Sequence, residues 1–395
     1  MSAAKRNGLK LRTEIIKYFF YKNELSLAKL TKLTQRSLPL VATAVNALLE
    51  EGYVLEEGLA PSSGGRRAAL FRLNPNHKKY IVAVAMDQRV TRFSILDLRR
   101  NKMMETQTMD FNLESKTIGV KDLVDFIKTS LQKSGLQKEY FIGMGIGMPG
   151  FINKQDGINY SFFTTEGPLN LSEFLSVELD LPVFLDNDSS LIALAELHFG
   201  AAKGYSNALV INLGWGTGLG MIINGELYRG STGYAGEFSH VPLSSSNKLC
   251  SCGKRGCLEV ETSLKVMAEK AESAIAEGAE SSMTTLFEDE AMLHGDHFLT
   301  AVTQQDPLAV SILSETGYHL GKGIATLIHI MNPKCIVLGG RGARAGKMWL
   351  PSIQQAIHEF CIGRISEQTK IVVSELAEDA ELLAAASLVI ENSEF

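Results

Sequence analysis

Apolar residues recur at helical spacing near the N-terminus and then, beyond residue 80, gather into strands that alternate with helices. Leu11, Ile15, Ile16, Phe19 and Phe20 make one stripe and predict a helix over 11–20. The polar run Lys22-Asn23-Glu24 breaks it. Ser26 is placed to cap a second helix from Leu27 to Leu33, with Leu27, Leu30 and Leu33 inward. Ser37 is placed to cap a third, from Leu38 to about Glu51, with Pro39 in the first turn, where a missing N–H costs little. Val41, Val45, Leu48 and Leu49 give it a buried face, and Gly52 ends it.

Two short strands follow, Tyr53–Glu57 and Ala69–Leu73, around the tip Pro61-Ser62-Ser63-Gly64-Gly65-Arg66-Arg67. Three helices and such a wing predict a winged helix-turn-helix over 1–75, whose third helix enters a major groove. Gln35, Arg36, Ser37, Leu38, Thr43 and Asn46 lie on or near that helix as candidate DNA contacts. Arg66 and Arg67 suit phosphates or the minor groove. Three short helices alone also describe a small interaction domain, and the basic Gly-Gly-Arg-Arg tip favours DNA.

From Tyr80 the pattern is α/β. Residues 81–86 and 91–96 read as an antiparallel pair, 120–134 as a helix and 140–148 as a buried strand ending in Pro149-Gly150. The strand 181–188 delivers Asn187 and Asp188 at its carboxyl end, where open α/β sheets bind ligands, and 190–199 reads as helix. A second lobe begins with the strand 207–213, a glycine-rich turn 214–220 and a hairpin closed by Asn224-Gly225. A long helix, 307–331, feeds a buried strand ending in Gly339-Gly340. The expected lobes are 76–195, joined by a C-terminal helix at 380–395, and 196–379.

Length and composition fit this division: 395 residues suggest two or three domains, and 45% hydrophobic with 21% charged residues is globular. The N-terminus lacks a secretion signal. The most apolar stretch, 141–152, has twelve residues and four glycines, too few to span a bilayer, so a cytoplasmic protein without membrane insertion is expected. Charge is uneven. Residues 1–72 carry twelve basic and six acidic side chains, net +6, and the remainder carries −11. A nucleic-acid-binding head on a non-binding body has this signature; a solvated basic surface without a partner gives the same charge.

His240, Cys250, Cys252 and Cys257 fall within eighteen residues and form a tetrahedral donor set for zinc, closed by protein ligands and therefore structural. An odd cysteine count without a secretion signal argues against disulfides. Gly253 and Gly256 let the loop fold back, and Glu237 and Glu259 flank it, so a metal there would fix two carboxylates suited to gripping a polyol. Cys335 and Cys361 sit in apolar surroundings as small core residues.

The run Cys250-x-Cys-Gly-x-x-Gly-Cys-x-Glu259, with Glu237-Phe-Ser-His240, Leu185-Asp-Asn-Asp188 and 332–340, resembles the ROK family. That family joins repressors and sugar kinases on a two-lobed, actin-like ATPase (ribonuclease-H-like) fold. The resemblance implies that Asn187, Asp188, Glu237, His240 and Glu259 hydrogen-bond sugar hydroxyls in a cleft lined by Gly150, with His240 shared between sugar and zinc. Ser239 stands where the family has Gly.

In the family's kinases Asp188 is the general base, and an Asp-x-Gly-Gly-Thr loop cradles ATP phosphates. Here that loop is Asp87-Gln88-Arg89-Val90, so the chain is expected not to be a kinase. With the head attached it resembles the regulator branch, which implies a homodimeric or homotetrameric repressor of carbohydrate genes. Operator DNA and a sugar or sugar phosphate are its partners, and Asp188 favours the unphosphorylated form. An active sugar kinase that also binds DNA, or a cleft that binds a partner protein, are the competing readings.

Overall fold

The computed structural model describes residues 3–59, 67–113, 119–163, 168–288, 293–376 and 379–395. The head is built from α1 (Ala3–Lys22), β1 (Glu24–Ser26), α2 (Leu27–Thr34), α3 (Leu38–Glu50), β2 (Val54–Leu59) and β3 (Ala69–Leu73). Ile15, Ile16, Phe19, Leu30, Val41, Val45 and Leu48 meet in its core. Ser26 caps α2, accepting a hydrogen bond from the Lys29 amide at 3.3 Å. Ser37 differs from expectation: it holds the N-cap position of α3 but its hydroxyl makes no cap bond.

The expected polar break at 22–24 runs directly into a strand. Leu25 is buried and pairs with Phe71, giving the wing sheet the order β1-β3-β2. Three residues are too few for alternation to be visible in sequence. Residues 60–66 of the expected tip, Arg66 among them, lie outside the described residues; Arg67 is exposed.

The first body sheet contains β4 (Tyr80–Met86), β5 (Val90–Asp97), β6 (Gln107–Asp110), β7 (Phe141–Met148) and, after the small hairpin β8 (Ile152–Asn153)/β9 (Ile158–Asn159), β10 (Val183–Asn187). Its order is β10-β7-β4-β5-β6, with α4 (Val120–Ser134) and α5 (Leu171–Leu179) as crossovers. Next comes α6 (Asp188–Phe199).

The second sheet contains β11 (Ala208–Leu213), β12 (Thr217–Ile223), β13 (Glu226–Tyr228), β14 (Cys335–Gly339) and β15 (Lys370–Val373), in the order β13-β12-β11-β14-β15. Both sheets therefore share one layout, an antiparallel meander whose first strand also pairs in parallel with the fourth. The helices α7 (Glu259–Thr262), α8 (Leu264–Ala276), α9 (Met283–Leu286), α10 (His294–Thr303) and α11 (Pro307–Met331) lie between β13 and β14. Helices α12 (Leu350–Phe360) and α13 (Gly363–Ser366) precede β15, and α14 (Asp379–Asn392) returns to the first sheet.

The glycine-rich stretch expected to be one turn, 214–220, is a turn only to Gly216; Gly218 and Gly220 lie inside β12. Helix α6 explains them. A Cβ on Gly218 would strike Ser189 Oγ, and one on Gly220 would strike Ala193 Cβ, so the missing side chains let α6 lie directly on the second sheet. The helix also packs against α14 and β10, and the 195/196 divide expected between lobes falls within it.

The head docks where α6 and α14 end. Tyr21 stacks on His198 with ring centroids 3.8 Å apart, and its hydroxyl donates to Glu391 Oε1 at 2.7 Å. Lys17 donates to the Glu391 carbonyl at 2.7 Å. Arg100 lies 4.9 Å from the Phe199 ring and 5.4 Å from that of Phe20. Among the described residues no helix is long and apolar enough to cross a membrane.

Desolvation in this seam pushes His198 down to about 4. An undocked or unfolded chain then takes up the proton first, so the stability contributed by neutral His198 is complete above about pH 6.5 and is lost as pH falls toward 4. Thermal stability should fall between pH 7 and pH 5 by on the order of 1 kcal/mol through this group, and His198→Phe should flatten that part of the profile. Superimposable melting curves of the two proteins across this range would contradict the assignment.

Candidate functional site

A cleft of about 440 Å³ opens between the two sheets, and Gly150, Asn187, Asp188, Glu237, His240 and Glu259 all line it. Asn187 ends β10 and caps α6, accepting from the Ser190 amide at 3.1 Å and donating to the Gly150 carbonyl at 3.2 Å. Gly150 adopts φ +99°, and a Cβ there would collide with Ser161, so this wall of the cleft requires glycine.

Asp188 opens the first turn of α6. Its Oδ1 accepts from the Ser189 amide at 2.7 Å, and its Oδ2 accepts from Asn212 of the second sheet at 3.3 Å. Burial, assisted by Glu381, raises its carboxyl to about 7. Glu259 begins α7, accepts from the Thr217 amide at 3.0 Å and is likewise raised by burial to about 7. Ser239, the departure from the family pattern, is buried beside the cleft and helps hold the Glu259 carboxyl down against its burial.

The metal-ligand candidates also converge. The donor atoms of His240, Cys250, Cys252 and Cys257 all lie within 4.8 Å of one another. His240 Nδ1 is 3.6 Å from Cys250 Sγ, and Cys252 Sγ is 3.6 Å from Cys257 Sγ. Four donors around a tetrahedral ion at 2.0–2.3 Å stand roughly 3.3–3.8 Å apart, so these edges fit a metal. The loop is shaped by bonds from Cys250 N to the Lys254 carbonyl and from Gly253 N to the Cys250 carbonyl, with Gly253 at φ +81° and Gly256 at φ +77°. Burial and the neighbouring thiols push Cys257 up to about 12, a cost that a bound cation would offset. Cys335 and Cys361 are buried elsewhere.

Sequence reasoning missed a charged network on the far side of the cleft. Arg341 pairs with Asp87 at 2.7 Å and with Asp296 at 2.5 Å, and Arg344 pairs with Asp296 at 2.8 Å. Asp87 Oδ1 also accepts from the amides of Arg89 and Val90, and the Arg89 guanidinium lies 4.9 Å from the Trp215 ring. Glu381, on α14, lines the cleft and pairs with Arg92. These partners are far apart in the chain and carry no shared motif.

In the head, Gln35, Arg36, Ser37, Thr43 and Asn46 are all exposed. Thr43 spends its hydroxyl on its own helix, donating to the Pro39 carbonyl at 2.9 Å.

The model of the ROK family matches residues 82–392. The chain belongs to the ROK family. It is 28% identical to the xylose repressor of Bacillus spizizenii over 96% of this chain and 94% of that one. A glucokinase of Halalkalibacterium halodurans is 32% identical over 68% of this chain and 82% of its own length. The crystal structure of a ROK family transcriptional regulator, a homolog of the E. coli MLC protein, superposes with a TM-score of 0.77 at 24% identity. The match covers 97% of this chain and 96% of that one, so the likeness of fold extends over the head.

Asp188 gives this ROK cleft a pH signature. An unfolded chain ionises the residue near 4 while the native chain holds the proton to about 7, so stability declines as pH rises through that window and levels above it. Asp188→Asn should leave the melting temperature nearly unchanged at pH 4 and raise it by about 2–4 °C at pH 8. A gain independent of pH would rule out the buried carboxyl as its source.

Proposed function

We propose that this chain is a sugar-responsive, DNA-binding repressor of carbohydrate uptake or catabolism genes. It works as a homo-oligomer whose heads, residues 1–75, hold operator half-sites about one helical turn apart. Residues 76–195 with 380–395 form one lobe, and 196–379 the other. One observation carries the reading: the two helices that start at the cleft end on the head. Helix α6 begins at Asn187 and Asp188 and ends at His198 and Phe199 against α1, and α14 runs from Glu381 in the cleft to Glu391 on Tyr21 and Lys17. A sugar that moves the lobes would thereby tilt the heads, and it shifts that equilibrium only by its preference for one form. The repressor relative extends through the head, whereas the glucokinase relative covers 68% of the chain, which supports the same choice.

An unphosphorylated sugar fits the charges. Asp87, Asp188, Glu237, Glu259 and Glu381 line the cleft, and Arg341 is already paired with Asp87 and Asp296. A phosphate would meet this field without compensation. Asn187, Asp188, Glu237, His240 and Glu259 would bind the hydroxyls, and xylose is the first candidate because the repressor relative is named for it. Zinc suits the three thiols and the imidazole as a structural ion. His240 turns Nδ1 to Cys250 and Nε2 toward Glu237 at 3.7 Å, so a metal on the first nitrogen would orient the second for sugar.

Phosphoryl transfer is not its work on this reading. The Asp87–Val90 turn is closed on its own carboxylate, which is also bound to Arg341, and Arg89 covers Trp215 where a glycine loop would admit phosphates.

Calorimetry with xylose, glucose, N-acetylglucosamine and the glucose and N-acetylglucosamine 6-phosphates should find one neutral sugar that binds and weakens DNA retention. Asn187→Ala should reduce that affinity by roughly tenfold or more through the lost bonds. Sustained sugar-dependent ADP release, or indifference to every sugar, would overturn the proposal. Metal analysis should give one zinc per chain, lost in Cys257→Ala together with most of the sugar response; normal induction in a metal-free variant would sever the link between ion and sugar.

A further inference from the structure

Six consecutive residues, Gln35 to Leu40, are exposed at the leading end of α3, and two of them are leucines. Leu38 is 51% and Leu40 57% exposed, whereas Val41, Val45 and Leu48 of the same helix are fully buried. The head's core therefore closes without the two leucines, and Pro39 between them stiffens the backbone that presents them. Solvated leucines on the first turn of α3 in a basic head carry a cost that a partner must offset.

We propose that Leu38 and Leu40 are specificity-determining residues that pack on the C5-methyl groups of thymines in the major groove. The inference rests on the DNA-binding reading above and adds which base the helix reads. Three features of the surface select duplex DNA over a protein. The first 72 residues carry net charge +6, and Arg36, two residues before Leu38, and Arg67 of the wing are exposed. The Ser37 hydroxyl makes no bond to the helix it heads, which leaves it for a phosphate oxygen.

The side chains farther along the helix suit the same bases. Thr43, whose hydroxyl is tied to Pro39, offers a groove its methyl, and Asn46 is exposed one turn later with the paired donor and acceptor that match adenine N6 and N7. The geometry points to a half-site rich in A·T pairs, with thymine methyls at the steps facing α3's first turn.

The test uses the full-length protein. Duplexes are selected from a random-sequence pool, and each thymine of the enriched half-site is replaced by deoxyuridine, which removes only the methyl. Affinity should fall about fourfold at one or two positions per half-site, the value of one buried methyl. Leu38→Ala and Leu40→Ala, exposed changes compatible with a helix, should each bind thymine and uracil duplexes equally at one of those positions. Equal affinity of the wild-type protein for every uracil-substituted duplex overturns the proposal while leaving the repressor reading intact. Variants that change the oligomeric state but keep the methyl preference also overturn it, because the leucines then belong to a protein interface. Failure to enrich any sequence removes the proposal together with the reading it rests on.

Discussion

The close approach of α6 to the second sheet is the constraint on which the rest of the molecule depends. The helix starts from the first sheet, because Asn187 is both the last residue of β10 and the helix cap. It then lies on β12, where glycines at 218 and 220 leave room for Ser189 and Ala193. One rigid element thereby touches both halves of the body, presents Asn187 and Asp188 to the cleft and carries His198 and Phe199 to the head. A helix braced on two sheets cannot shift at one end alone, since close-packed interfaces choose between discrete arrangements rather than deforming continuously.

The chemistry of the cleft follows from charge held in a partly dry space. Asp188 and Glu259 face the same cavity from the starts of α6 and α7, and burial raises both well above the ordinary carboxylate range. Once ionised, such groups are strong acceptors for any hydrogen-bond donor that enters the cleft. The neighbouring Arg341–Asp87–Asp296 network is the opposite case, a region where opposite charges already satisfy one another. One side of the cleft has bonds left to make, and the other has none to spare for a polyphosphate. The thiol and imidazole cluster sits at the rim and ties Glu259 to His240 through the Cys250–Cys257 loop.

Much of this was legible in the chain. The helical stripe of Leu11, Ile15, Ile16, Phe19 and Phe20, the paired strands 81–86 and 91–96 and the cysteine spacing are local patterns, and each formed where its period or spacing placed it. Asn187 and Asp188 line the cleft, where the rule that open α/β sheets form clefts at their strand ends puts them. What escaped was either too short or too distant. The Glu24–Ser26 strand has three residues and no readable alternation, and Ser37 has the right type and position for a cap bond that it does not make. Gly218 and Gly220 resembled turn residues because a glycine needed for close packing and one needed for a bend look identical in sequence.

The sequence by itself determined the elements, the metal-ligand spacing, the basic head and the polar strand ends, because periodicity, capping and short-range chain geometry act within a few residues. Only the tertiary structure decided that Arg341 would neutralise Asp87 across 254 positions, that Glu381 would join the cleft and that Tyr21 would meet Glu391 and His198 at the seam. Those pairings depend on which surfaces the two sheets and α6 bring together. Their energies come from desolvation and charge at distances that a linear pattern does not encode.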